Sequence, residues 1–239
     1  MPFAELRELL LRAEGWLLPS ECLLCHGAVG PDDPLICPPC QSRWHRLPEP
    51  QCPRCGQPAT RMAPECRLCP GWPEGFHRAR SAVWLEDGAH PAVHALKYGG
   101  WWRVAEPMAR LMARLEVVGA GATIVPIPLA RRRARLRGYN QAERLARALG
   151  HRTGLPVQAE LLARGRETPT QTTLPPEARR ANVAEAFTPG PVPAGGRLLL
   201  VDDVFTTGAT LAEAARSLLE AGAGAVEAVT FARAKPPVI

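Results

Sequence analysis

All eight cysteines of this 239-residue chain lie between residues 22 and 69, in four Cys-x-x-Cys pairs: Cys22/Cys25, Cys37/Cys40, Cys52/Cys55 and Cys66/Cys69. Successive pairs are separated by 11, 11 and 10 residues. Between them lie proline, glycine and arginine, with few large apolar side chains, so the segment cannot fold on burial alone and needs a staple. No secretory leader is visible, which argues against disulfides. Two Cys-x-x-Cys knuckles offer four thiolates to one tetrahedral Zn²⁺, and four knuckles make two such sites. Sequential sites (Cys22, Cys25, Cys37, Cys40, then Cys52, Cys55, Cys66, Cys69) need the shortest loops. A cross-braced pairing, first knuckle with third and second with fourth, is also open. With all four positions taken by sulfur, the zinc is expected to hold the fold and do no chemistry. His26 and His45 are then bystanders. Residues 20–72 read as this cysteine-rich module, residues 1–19 as a short amphipathic helix before it, and residues 73–239 as one larger domain.

That larger domain centres on Leu198-Leu199-Leu200-Val201-Asp202-Asp203-Val204-Phe205-Thr206-Thr207-Gly208-Ala209-Thr210. Four consecutive aliphatic residues predict a strand buried on both faces, with the two carboxylates at its end. A turn of hydroxyls and Gly208 follows, then a helix with Leu211, Ala215, Leu218 and Leu219 on one side. A strand, a tight turn and a helix N-terminus together make an anion site, because turn amides point outward and the helix dipole favours negative charge. Thr206, Thr207 and Thr210 add hydroxyl donors. Asp202 and Asp203 can accept hydrogen bonds from a vicinal diol or hold Mg²⁺ through water. The group suits a ribose carrying a 5′-phosphate.

Upstream, Ser81–Leu85 and Thr123–Leu129 read as strands, and Val226–Ala232 as the last one. Helices are expected over His90–Tyr98, Val104–Leu115 and Asn140–Leu149. Strands alternating with helices indicate an α/β fold with a mostly parallel sheet. Lys97, one of only two lysines in the chain, ends the first of these helices, where it complements the dipole or contacts phosphate. Arg131, Arg132, Arg133, Arg135 and Arg137 crowd the carboxyl end of the Thr123–Leu129 strand, where open α/β sheets bind ligands. Pyrophosphate fits such a cluster, and so does a nucleic-acid backbone. Trp101, Trp102 and Tyr139 are candidate stacking surfaces for single-stranded bases. Residues 164–187 form a long irregular stretch of the kind that serves as a lid, with Gln171, Arg179 and Asn182 as its polar candidates. The net charge of +6 is almost entirely arginine, the residue suited to bidentate phosphate contacts. No apolar run is long enough to span a membrane.

The 198–210 stretch resembles the phosphoribosyl-pyrophosphate (PRPP) signature of type I phosphoribosyltransferases. By that resemblance Asp202 and Asp203 bind the ribose hydroxyls with Mg²⁺, while Thr206, Thr207, Gly208, Ala209 and Thr210 wrap the 5′-phosphate. Arg137, Lys97 and the 164–187 loop would complete the site. More fully, the chain resembles the ComF family (ComF/GntX-type phosphoribosyltransferase-like proteins). The marks are Cys52-Pro-Arg-Cys-Gly56, Leu96-Lys97-Tyr98-Gly99, Val125-Pro-Ile-Pro-Leu129, Arg137-Gly-Tyr-Asn-Gln141, and Gln171, Arg179 and Asn182. The resemblance implies a Rossmann-like phosphoribosyltransferase domain behind a double zinc ribbon. It also implies a cytoplasmic role in natural transformation, handling single-stranded DNA beside a DNA-uptake helicase and the competence machinery. Peripheral attachment to the inner membrane through such partners stays open. No acceptor-recognition element is readable, so a true phosphoribosyltransferase and a PRPP-sensing nucleic-acid-binding regulator remain alternatives.

Overall fold

In the computed structural model, residues 20–29, 35–59, 66–165 and 186–235 are described; the expected N-terminal helix and Gln171, Arg179 and Asn182 lie outside them. The cysteine-rich module carries little regular structure. Strands β1 (Ser20–Glu21) and β2 (Ala28–Val29) form a minimal antiparallel hairpin, followed by one short helix, α1 (Pro38–Ser42).

The larger domain is built on β3 (Phe76–Trp84), β4 (Ala122–Pro126), β7 (Arg197–Phe205) and β8 (Ala225–Arg233), ordered β3-β8-β7-β4 and all parallel. Between β4 and β7, two short strands, β5 (Leu162–Arg164) and β6 (Phe187–Pro189), pair antiparallel and close the base of the long 164–187 stretch. Helices α2 (His90–Tyr98) and α3 (Ala105–Met112) follow β3; α4 (Arg131–Arg137) and α5 (Gln141–Thr153) follow β4; α6 (Ala209–Glu220) follows β7. Parallel strands need such crossovers.

The central strand explains the layering. Leu199 and Val201 enter a core shared with α2, α3 and α5, whereas Leu198 and Leu200 enter another shared with α6 and the β5/β6 ribbon. Each face of the sheet also takes one half of the cysteine-rich module. Cys22, Cys37, Cys40 and Trp44 pack into the first core, and Cys55, Cys69 and Trp72 into the second. The two halves of the module therefore straddle the sheet.

One expectation is corrected. β7 does not stop before the acidic pair: β8 keeps pairing out to Arg233 opposite Phe205, so Asp202 and Asp203 lie inside the strand. The irregular 164–187 stretch begins and ends in ordered strands, because Leu161, Leu162 and Phe187 are buried against the core.

Candidate functional site

At the carboxyl edge of the sheet an open cleft of about 490 Å³ is bordered by α2, α4, β7 and the turn after it. Asp202, Asp203, Thr206 and Thr210 line it from the β7 side, and Lys97, Arg133, Arg137 and Arg164 face them. Asp203 is buried, and its Oδ2 lies 3.0 Å from Lys97 Nζ. Asp202 Oδ1 accepts the Asp203 backbone N–H at 2.8 Å. Burial, reinforced by the neighbouring Asp203 charge, raises the Asp202 carboxyl to about 7. Desolvation also lowers Arg164, and Arg133 adds to that effect. Four cations against two carboxylates give the cleft a positive field, which suits a polyanion.

The run from Arg137 to Gln141 is shaped by what each residue does locally. Gly138 takes φ +76° and ends α4, a conformation that glycine adopts without strain. Tyr139 Oη donates to the Leu96 carbonyl at 2.5 Å, tying this turn to the end of α2 beside Lys97. The Asn140 side chain caps α5 by accepting from Ala142 N and donates to the Ile127 carbonyl. Arg137 Nη1 donates to Gln141 Oε1 at 2.9 Å, and its guanidinium lies 4.8 Å from the Tyr98 ring centre. These contacts hold Arg137 toward the cleft.

The turn after β7 leads into α6 through Gly208, whose φ is +77°. A Cβ there would also come within 2.7 Å of Phe205 and 3.1 Å of Trp72, so glycine is required twice over. Thr206 and Thr210 face the cleft, while Thr207 and Ala209 face the cysteine-rich module beside Trp72. Thr207 Oγ1 accepts from Ala209 N at 3.4 Å.

The cysteines gather sequentially, as Cys22/Cys25/Cys37/Cys40 and Cys52/Cys55/Cys66/Cys69, with the sulfurs of each set within 4.8 Å of one another. Cys25–Cys37 are 3.7 Å apart, Cys52–Cys69 3.8 Å and Cys66–Cys69 3.6 Å. Tetrahedral zinc with Zn–S bonds of about 2.3 Å spaces its sulfurs at about 3.8 Å, so both sets fit the ion. Burial raises Cys40 and Cys55, and pushes Cys69 up to about 12. At Cys22 burial acts the same way, but amides of Cys37 and Leu24 aimed at its sulfur outweigh it and bring the thiol down to about 6.

Residues 14–71 match the double zinc ribbon domain, and residues 136–237 match the phosphoribosyl transferase domain. The DNA utilization protein YhgH of Escherichia coli (strain K12) is 34% identical over 218 residues, spanning 88% of this chain and 95% of that protein. Competence protein F of Haemophilus influenzae is 28% identical over 231 residues, spanning 89% and 96%. Competence protein ComFC of Streptococcus pneumoniae is 28% identical over 204 residues, spanning 84% and 89%. The chain belongs to the ComF family.

In this ComF-family chain the arginine cluster divides. Arg133 and Arg137 line the cleft, whereas Arg132 and Arg135 are exposed on the far side of α4, which Arg131 opens. Trp101 and Trp102, the candidate stacking surfaces, are about half exposed, at 49% and 45%. Arg144 lies 4.9 Å from the Trp102 ring centre. Sequence reasoning missed Arg164, His90 and His94 as cleft residues. His90 and His94 carry a readable signal, since their i, i+4 spacing places both on the face of α2 that Lys97 and Tyr98 border. Arg164 gave none, because its position depends on a three-residue strand formed with a partner 23 residues away. Among the described residues no helix is long and apolar enough to cross a membrane.

Proposed function

We propose that this protein binds Mg²⁺-PRPP in the cleft at the carboxyl edge of the sheet and assists the import of single-stranded DNA. The observation that carries the first half is the meeting of Asp202, Asp203, Thr206 and Thr210 with Lys97, Arg133, Arg137 and Arg164 around one cavity. The acidic pair would accept from the ribose hydroxyls, the hydroxyl-lined start of α6 would receive the 5′-phosphate, and the arginines would face the diphosphate. Asp203 is engaged by Lys97, which leaves Asp202 as the carboxylate to hold Mg²⁺ through water. The ion's contribution is to offset diphosphate charge. DNA utilization and competence are the named roles of the relatives. Exposed Arg132 and Arg135 and half-exposed Trp101 and Trp102 supply the phosphate-pairing and base-stacking chemistry a single strand needs.

Titration calorimetry with Mg²⁺-PRPP tests the first half. Micromolar binding that disappears in Asp202→Asn/Asp203→Asn is expected, and no heat from the native protein defeats the reading. For the second half, salt-dependent binding of an oligothymidylate should weaken in Arg132→Ala/Arg135→Ala; unchanged affinity defeats it. The arginines around the cleft favour a second reading, transfer to an acceptor, in which the C1–O bond breaks and pyrophosphate leaves with its electron pair. Pyrophosphate release with nucleobases or DNA would establish it.

A further inference from the structure

Arg233, the last residue of β8, is fully buried. Its guanidinium lies 3.8 Å from the centre of the Phe205 ring, Nη1 donates to Gln57 Oε1 at 3.1 Å, and Nη2 donates to the Cys55 carbonyl. Its Nε is buried with no acceptor. A cation so enclosed is costly unless opposite charge lies close. Here the opposite charge is the second cysteine set, which Arg233 reaches directly at Cys55. A tetrathiolate around Zn²⁺ carries two net negative charges, so the arginine fits the occupied cluster.

The edge of the Phe205 ring meets the candidate phosphate turn at Gly208. Phe205 and Trp72 together leave room only for glycine at position 208. Trp72 is three residues past Cys69; its ring stacks on Phe76 at 4.3 Å and tilts against Phe205 at 6.3 Å. Arg54, inside the Cys52/Cys55 knuckle, donates to the carbonyls of Cys69, Trp72 and Pro73, which fixes the tryptophan to the cluster. Two routes thus join the second cluster to the turn: Cys69 to Trp72 to Gly208, and Cys55 to Arg233 to Phe205 to Gly208. The first cluster has no such connection among the described residues. Its Trp44 packs edge-on against Phe231 and donates to the Gly88 carbonyl at 2.9 Å, in the loop before α2.

We propose that the second cysteine cluster, through Trp72, Phe205 and Arg233, holds the Thr206–Thr210 turn in its anion-receiving shape, so that metal at this cluster and not at the first sets affinity for a phosphorylated sugar. The ligand part rests on the reading given above; the mechanical part does not. Trp72 and Arg233 are positioning residues, since the turn, not they, would touch phosphate.

The test is amide hydrogen exchange over residues 204–211 of the full chain without ligand, beside zinc content and Mg²⁺-PRPP titration. Trp72→Leu should retain two zinc ions per chain, exchange at the turn at least tenfold faster and bind PRPP about tenfold more weakly. Trp72→Phe, which keeps a ring against Phe205, should recover most of both. Trp44→Leu should leave exchange at the turn within about twofold of the native rate. Cys52→Ser and Cys25→Ser, each keeping three thiolates at its site, supply a second comparison: only the former should accelerate the turn. Native exchange in a fully metallated Trp72→Leu, or equal acceleration in Trp44→Leu, overturns the proposal. Native protein that ignores PRPP but shows the exchange pattern sinks the ligand reading and supports the mechanical one. PRPP binding with unchanged exchange in Trp72→Leu does the reverse.

Discussion

The two cysteine clusters have the same ligands and nearly the same spacing, yet they join the body of the protein differently. The first attaches through an apolar wedge, Trp44 against Phe231, and through polar contacts at the surface, where His45 Nδ1 and Lys235 Nζ meet Glu86. The second attaches through a buried cation, Arg233, and through Trp72 seated beside Gly208. Identical metal chemistry therefore supports two opposite rims of one cleft, the start of α2 on one side and the start of α6 on the other. If the proposal above holds, a structural metal acts on a site through the side chains that carry its rigidity outward, not through the coordination itself.

The largest effects should come from the metals. Because sulfur clusters of this kind exist only in the folded chain, the binding energy of the ion is folding energy, on the order of 10 kcal/mol for a complete site. Cys55 is fully buried and its own carbonyl holds Arg233, whereas Cys25 is exposed. Cys55→Ser should therefore abolish cooperative thermal unfolding and halve the zinc content. Cys25→Ser should unfold cooperatively at a lowered midpoint. Equal losses in the two would erase the distinction between the clusters. Next in size is Trp44→Ala, which removes a buried indole from the first core and leaves the Gly88 carbonyl without its donor. About 3–5 kcal/mol of stability should be lost in urea titration, with the m-value unchanged.

Much of this arrangement is legible in the sequence, and the parts that are not share one cause. His90–Tyr98 matches the expected helix, since Pro91 at its first turn and Gly99 at its end punctuate it locally. Leu198–Val201 read as a doubly buried strand because four aliphatics in a row admit little else. The spacing of the cysteines allowed both pairings, and only the tertiary path separates them. Arg164 and the continuation of β7 through Asp202 and Asp203 depend on strands distant in sequence, so no local pattern announces them. Arg233 is the clearest case. An arginine closing the run Ala225–Ala232 reads as a solvated strand end, but cysteines some 170 residues earlier give it a reason to be buried.

Asp202 takes part in neither cluster's attachment, and its carboxyl is set by its own surroundings. Its folded value of about 7 is raised above the unfolded one, near 4, by burial and Asp203. The sign follows from linkage: the native state holds this proton more tightly. The group's contribution is full below about pH 4 and is lost as pH rises through 7. Asp202→Asn should accordingly stabilise the ligand-free protein by roughly 1–2 kcal/mol at pH 8, a gain that shrinks to nothing near pH 4. Urea midpoints for the two proteins across that range check it; a constant offset at all pH values rules out titration of this carboxyl. The same variant should lose Mg²⁺-PRPP binding, separating a cost to folding from a use in function.

The smallest effect expected is at Glu86, where the first cluster's side of the molecule relies on surface charge. Lys235 chiefly, and then His45, hold the Glu86 carboxyl below its ordinary range. A lowered carboxylate stabilises above its unfolded value, near 4, and the benefit disappears as pH falls through the folded one. His45 and Lys235 are both more than half exposed, so water and salt screen most of the interaction. Glu86→Gln should cost about 0.5 kcal/mol at pH 7 and low salt, and less at 0.5 M salt. On the other rim, Arg233→Met removes a buried charge that the sulfur cluster faces, and its cost should hardly change with salt. Measuring both variants at two salt concentrations separates a screened surface link from a buried one. If Arg233→Met proves as salt-sensitive as Glu86→Gln, the two clusters are attached alike, and the asymmetry between the rims of the cleft has to come from Trp72 alone.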